Sequence, residues 1–278
     1  MTDVVANGVR HHVQRLGTGE RTVVFLHGLV MDNLSSFYFT LANPLAESME
    51  VILYDLRGHG MSERPATGYS VTSLVADLAA LLDALAITRP VTIVGNSFGG
   101  LLALAFAAAH PDRVERLALI DAHTGVDGWA AQMTSTLALK GEARDMKIAS
   151  SFQSWLGRHS ERKRNRLAAA AEALVEHTSL VADLRESPAI DLHAIRCPVF
   201  AIYGESSDVR SHGEGLAHDA PNVTLQLLPG CSHSVLWEAT ADVKARIERA
   251  SGTRKSSQRN FSAAAPREVA ALSRTAAA

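Results

Sequence analysis

Cysteine is scarce in this chain. Cys197 and Cys231 are the two present in 278 residues. That is too few for a disulfide framework, and free thiols in a reducing, cytoplasmic setting are expected. An excess of either charge is missing as well. The 27 Lys and Arg residues face 29 Asp and Glu, for a net charge of −2, which argues against a nucleic-acid partner held by phosphate neutralisation. No apolar run approaches the ~18 residues that a membrane span needs, so no membrane partner is expected. The opening MTDVVANGVRHHV has no basic stretch followed by an apolar one, and no secretory signal is expected. No H-E-x-x-H pattern, paired-cysteine spacing, G-x-G-x-x-G or P-loop occurs. Neither a metal nor another cofactor is anticipated.

Hydrophobic residues, by contrast, make up 47% of the chain, enough for a substantial core. They come in short unbroken runs: TVVFLHG (22–28), VILYD (51–55), VTIVG (91–95), RLALID (116–121), CPVFAIYG (197–204) and NVTLQLL (222–228). Runs that do not alternate with polar residues read as strands buried on both faces, as in a parallel sheet covered by helices. Helical spacing separates several of them, at 73–87 with Leu74, Leu78, Leu81, Leu82 and Leu85, and at 99–111 before Pro111. The stretch 234–250 reads as one amphipathic helix. Ahead of the first run, Asn7-Gly8 between β-prone segments predicts a hairpin with a type I′ turn. Alternating strands and helices imply an α/β fold with a mainly parallel sheet. Residues 122–190 break the rhythm. They hold no convincing strand, are helical in composition, carry Phe152 and Trp155, and read as a helical cap inserted into a core of 1–121 and 191–250. Residues 251–278 lack an organised apolar face and read as a disordered tail.

One corner carries chemistry. Gly95-Asn96-Ser97-Phe98-Gly99 is a G-x-S-x-G motif. Chance supplies such a match in roughly one protein in ten of this length, so its setting decides. A strand leads in and a helix leads out, which is the context in which a serine is held exposed on a sharp turn. A serine hydroxyl is a weak nucleophile near neutral pH and needs a base, which in turn needs an orienting carboxylate. Of 12 histidines, His233 lies in LPGCSHSVLWE, after the last strand, at the sheet edge where the serine corner also sits. For the acid, Asp208 in YGESSDVRSH leads, with Asp121 at the end of RLALID and Glu205 as alternatives. The oxyanion donors expected are the backbone N–H groups of Phe98 and of Leu29, in the loop after His27-Gly28. His27, Gly28, Trp155 and Trp237 are candidates for substrate contact. Asp55, Arg57 and Ser62 read as residues that fix their own loop.

These segments together resemble the α/β-hydrolase fold. The resemblance rests on HG at 27–28, YDLRGHGMSERP at 54–65, GNSFGG at 95–100, HPDRVERLALID at 110–121, YGESSD at 203–208 and GCSHSVLWE at 230–238. It implies a mostly parallel eight-stranded sheet flanked by helices, with a helical cap after strand six. It also implies a two-step acyl-enzyme mechanism: Ser97 as nucleophile, His233 as base and Asp208 as the residue that holds the imidazole. The serine at position 97 sets the chain apart from branches of the fold with an aspartate there. The expected reaction is hydrolysis of a carboxylic ester or thioester of a small, largely apolar substrate. Asn96 beside the serine also resembles hydrolases that cleave C–C bonds of ring-cleavage products. A non-hydrolytic ligand-binding or acyl-transfer member of the fold is a further alternative. Five of the nine residues 158–166 are Arg or Lys. They read as a solvated face, with an acyl-carrier protein or coenzyme A thioester as the alternative partner.

Overall fold

The computed structural model describes residues 2–30, 32–125, 139, 141–143, 146 and 161–250. Its eight strands are β1 (Thr2–Ala6), β2 (Val9–Leu16), β3 (Thr22–Leu26), β4 (Glu50–Tyr54), β5 (Val91–Asn96), β6 (Val114–Ile120), β7 (Val199–Gly204) and β8 (Val223–Leu228). They form one sheet in the order β1-β2-β4-β3-β5-β6-β7-β8. The β1–β2 and β2–β4 pairs are antiparallel, and every later pair is parallel. The expected mostly parallel α/β sheet is therefore present. The hairpin joining β1 to β2 turns at Asn7 (φ 50°) and Gly8 (φ 75°), both in the left-handed region that a type I′ turn demands.

The unbroken apolar strands follow from burial on both sides. Val24 and Leu26 of β3, with Ile52 and Tyr54 of β4, point into one core layer. Val23 and Phe25, with Val51 and Leu53, point into the other. The first layer is closed by α1 (Val71–Ala84) and α2 (Phe98–Ala109), through Leu74, Leu78, Leu81, Leu101 and Leu104. The second is closed by the helical turns Ser35–Phe37, Tyr38–Ala42 and Asn43–Ala46 through Phe37, Leu41 and Leu45, and by the C-terminal helix. Helix α1 begins two residues ahead of the expected start, because Ser70 Oγ accepts the Ser73 N–H at 3.1 Å and caps it.

Between β6 and β7 the described helices are α3 (Glu161–Glu176) and α4 (Leu180–Arg185). Leu174, Leu180 and Leu184 join the first core layer. Asp183 accepts the N–H groups of Gly68 at 3.1 Å and Tyr69 at 2.6 Å, fastening α4 to the segment ahead of α1. Within the stretch expected to form a cap, residues 126–138, 140, 144–145 and 147–160, with Phe152 and Trp155, lie outside the described residues, as does the tail 251–278. After β7 come α5 (Arg210–Asp219), α6 (Val235–Glu238) and α7 (Thr240–Ala250). The single helix expected over 234–250 is thus two. The chain leaves helical geometry at Ala239 (φ −130°). Glu238 turns its carboxylate back onto the Ser232 N–H at 2.7 Å and Oγ at 2.8 Å, which tightens the first turn. Among the described residues no helix is long and apolar enough to cross a membrane.

One buried ion pair ties the outer strands to α1. Arg57 meets Asp77 in a two-pronged contact, Nε–Oδ2 at 2.8 Å and Nη2–Oδ1 at 2.6 Å. Asn7 Nδ2 donates to the same carboxylate at 2.8 Å. Asp77 is 1% exposed, so removing it strands a buried guanidinium. Asp77→Ala should lower the unfolding free energy by about 3–5 kcal/mol, read as a shifted urea midpoint. The double replacement Arg57→Met/Asp77→Leu should recover most of that loss.

Candidate active site

The serine corner stands where β5 ends, at the middle of the sheet. Ser97 has φ 53° and ψ −117°, a backbone state that non-glycine residues rarely adopt. The turn is held because the Ser97 N–H donates to Ile120 C=O of β6 at 2.9 Å. Its tightness depends on missing side chains. A Cβ at Gly95 would collide with the Gly99 carbonyl, and a Cβ at Gly99 with the Leu26 carbonyl. With these glycines α2 packs directly against β3 and β5, and Ser97 Oγ projects at the sheet edge.

The base reaches the corner. His233 Nε2 lies 3.1 Å from Ser97 Oγ. Its loop is fixed from both sides: the Ser206 N–H donates to Cys231 C=O at 2.9 Å, and Glu238 holds Ser232. The acid differs from the residue that led in the sequence. His233 Nδ1 bonds Asp121 Oδ2 at 2.7 Å, whereas Asp208 Oδ1 is 3.7 Å away. The two carboxylates also differ in setting. Asp121 is 0% exposed and Asp208 77%. Asp121 further accepts the Gly204 N–H at 2.8 Å and Ser207 Oγ at 2.5 Å. It directly follows β6, the strand between β5 and β7, so its side chain starts beside both Ser97 and the histidine loop. Asp208 sits four residues beyond β7 and faces solvent. Of the three carboxylates weighed in the sequence, Asp121 and not the leading Asp208 is the one within hydrogen-bond distance of His233, and Glu205 is exposed.

These contacts set the electrostatics. Burial pulls the His233 pKa down, but the hydrogen bond and charge of Asp121, with a further push from Asp208, outweigh it and hold it above the ordinary 6.5. A neutral ring that donates from Nδ1 to the Asp121 carboxylate leaves Nε2 as the nitrogen with a free lone pair toward Ser97 Oγ. Two more imidazoles extend from His233 in a row. His123 lies 5.7 Å from His233 and 5.6 Å from His212, ring centre to ring centre. Burial, then the neighbouring histidines, keep His123 neutral well below the usual range. The Thr124 N–H donates to His212 Nδ1 at 3.3 Å. Neither residue was singled out in the sequence. Their only signal was proximity to the two acid candidates.

The oxyanion loop after β3 is closely tethered. The Gly28 N–H donates to Asp32 Oδ2 at 2.8 Å, and the Val30 N–H to His59 Nε2 at 2.8 Å. Leu29 lies between these two tethered residues. Phe98 opens α2 directly after the serine and is fully buried. His27, expected to touch substrate, is 0% exposed and has both ring nitrogens engaged within the loops. Trp237 packs half-buried against the second core layer. Asp55 and Ser62 do fix their loop: Asp55 accepts the N–H groups of Leu34 at 2.9 Å and Met61 at 2.8 Å, and Ser62 Oγ donates to Asp55 C=O at 2.6 Å. Among the described residues no group of three or more His, Cys, Asp or Glu is placed to hold a metal ion.

Residues 21–240 match the family model described as alpha/beta hydrolase fold, and the chain belongs to that family. It is 41% identical over 121 residues to 2-hydroxy-6-oxo-2,4-heptadienoate hydrolase of Pseudomonas putida, a match covering 43% of each chain. It is 40% identical over 118 residues to Lipase LipV of Mycobacterium tuberculosis, covering 42% of this chain and 43% of that one. Both matches thus span less than half of the relative's own length. Among solved structures it is similar to the enol-lactonase from Burkholderia xenovorans, with 25% identity, a TM-score of 0.70, and coverage of 89% of this chain and 98% of that one.

The raised His233 pKa makes a testable statement. The ring must be neutral to take the serine proton. Reaction at Ser97 should therefore fade as pH falls through a midpoint above 6.5. Asp121→Asn removes the interactions that raise that midpoint, leaves burial dominant, and should move it to lower pH. Asp208→Asn should move it in the same direction by less. Rates of fluorophosphonate labelling across pH 5–9 measure all three.

Proposed function

We propose that this chain is a serine hydrolase of carboxylic esters or thioesters of small, largely apolar substrates. The observation that carries the reading is the unbroken run Ser97 Oγ to His233 Nε2 at 3.1 Å and His233 Nδ1 to Asp121 at 2.7 Å. In this reading Ser97 Oγ attacks the acyl carbon as its proton passes to His233 Nε2. Asp121 stabilises the imidazolium that forms and keeps its orientation. The oxyanion is received by the N–H groups of Leu29 and Phe98. The tetrahedral adduct collapses, and His233 returns the proton to the departing alkoxide or thiolate. Water, deprotonated by the same ring, then attacks the acyl-enzyme, releasing the acid and restoring Ser97.

The enol-lactonase supports acyl–oxygen cleavage, because its likeness runs over nearly its whole length. A second reading keeps the same residues and changes the bond: hydrolysis of a C–C bond in a vinylogous 1,5-diketone. It is favoured by the 41% identity to 2-hydroxy-6-oxo-2,4-heptadienoate hydrolase over 121 residues and by Asn96 beside the nucleophile. One panel separates the two. Purified protein is assayed on p-nitrophenyl esters of rising acyl length, the matching thioesters and a vinylogous diketone. The ester reading expects kcat/KM for the best ester or thioester at least tenfold above that for the diketone; the reverse order overturns it. Ser97→Ala should abolish fluorophosphonate labelling and lower kcat on the preferred substrate by about 10³-fold or more.

A further inference from the structure

We propose that His27 and His59 form a two-imidazole clamp that sets the direction of the Leu29 N–H, and so act as positioning residues for the oxyanion site. This rests on the reading of Ser97 and Leu29 given above. The two rings lie 5.1 Å apart, centre to centre, between the oxyanion loop after β3 and the loop after β4. Each spans the gap in the opposite sense. His59 belongs to the second loop and reaches the first: its Nε2 accepts the Val30 N–H at 2.8 Å, while its Nδ1–H donates to Arg57 C=O at 2.8 Å. His27 belongs to the first loop and reaches the second: its Nε2 accepts the Leu56 N–H at 3.0 Å, while its Nδ1–H donates to Gly28 C=O at 2.7 Å.

The last contact acts on the donor itself. Gly28 C=O and Leu29 N–H belong to one planar trans peptide, so a bond that fixes the carbonyl aims the N–H the opposite way. The next peptide is fixed by His59, and it needs fixing. Val30 is β-branched yet sits at φ 68°, in the left-handed region that such residues avoid. Without an acceptor for its N–H, the loop would relax toward ordinary backbone and carry Leu29 with it. Asp32 supplies the third tether, on the Gly28 N–H at 2.8 Å. Both imidazoles are buried, His27 at 0% and His59 at 4% exposure, so their nitrogens serve the loops and not solvent. His59 keeps its accepting lone pair at every working pH. Burial first, and His27 beside it, push its pKa down to about 3.

The clamp makes a crossed prediction that a merely structural role does not. Asparagine places its amide near the Nδ1 position of histidine, and glutamine near Nε2. At residue 27 the Nδ1 side holds the oxyanion loop; at residue 59 the Nε2 side does. His27→Asn and His59→Gln should therefore keep kcat within about tenfold of wild type. His27→Gln and His59→Asn should lose about 10²-fold, at the lower edge of what deleting an oxyanion donor costs. KM should stay within about threefold in all four. Affinity for a trifluoromethyl ketone, which forms a tetrahedral oxyanion on Ser97, should fall in the same ratio as kcat. Equal losses for Asn and Gln at either position, no loss in any variant, or the inverted pattern would each overturn the clamp. Should one position's variants fail to fold, the pair at the other still decides. Fluorophosphonate labelling of wild type and Ser97→Ala separates the two levels. A labelled wild type with uncrossed variants sinks the clamp alone, whereas an unlabelled wild type sinks the Ser97 reading together with it.

Discussion

The whole arrangement turns on one buried carboxylate. Asp121 is fully enclosed, and an enclosed charge is tolerable only when its oxygens are answered. They are answered by three different parts of the chain: the Gly204 N–H at the end of β7, Ser207 Oγ in the turn beyond it, and His233 Nδ1 in the loop after β8. The carboxylate thus gathers the ends of three strands, and the imidazole it holds is the one that meets Ser97. Positioning the base and satisfying a buried charge are here a single requirement.

Backbone strain is distributed around the same point. Among the described residues five non-glycine positions have positive φ, and three of them are Val30, Ser97 and Asp121. Each lies just past the end of a strand, β3, β5 and β6, where the sheet stops constraining the chain and a side chain or N–H must be redirected over the edge. Each is also held by tertiary bonds: Val30 by His59, Ser97 by the Ile120 carbonyl, Asp121 by the donors just named. The strain persists because those bonds over-determine it, and it concentrates where atoms need unusual placement.

This explains what could be read from the sequence and what could not. The strands were legible because burial on both faces leaves apolar runs such as VVFL and VILY, and the Asn7-Gly8 hairpin because few dipeptides fit two left-handed positions. Ser97 was legible because glycine spacing records how closely α2 approaches β3. The choice between Asp121 and Asp208 was not. Both follow strands at the correct edge, and what separates them is where a side chain points after one residue or after four. The break at Ala239 and the left-handed Val30 were hidden for a related reason. Their causes, Glu238 turning back on Ser232 and His59 crossing from another loop, are contacts that leave no periodic trace.

Two groups of loops meet at Ser97. The loops after β6, β7 and β8 share the carboxylate of Asp121. The loops after β3 and β4 share the carboxylate of Asp55 and the rings of His27 and His59, and hold the backbone at Leu29. Among the described residues of the stretch between β6 and β7, Leu174 packs near Gly58, and Ser179, Asp183 and Ser187 fasten to residues 66–71 beside the second group.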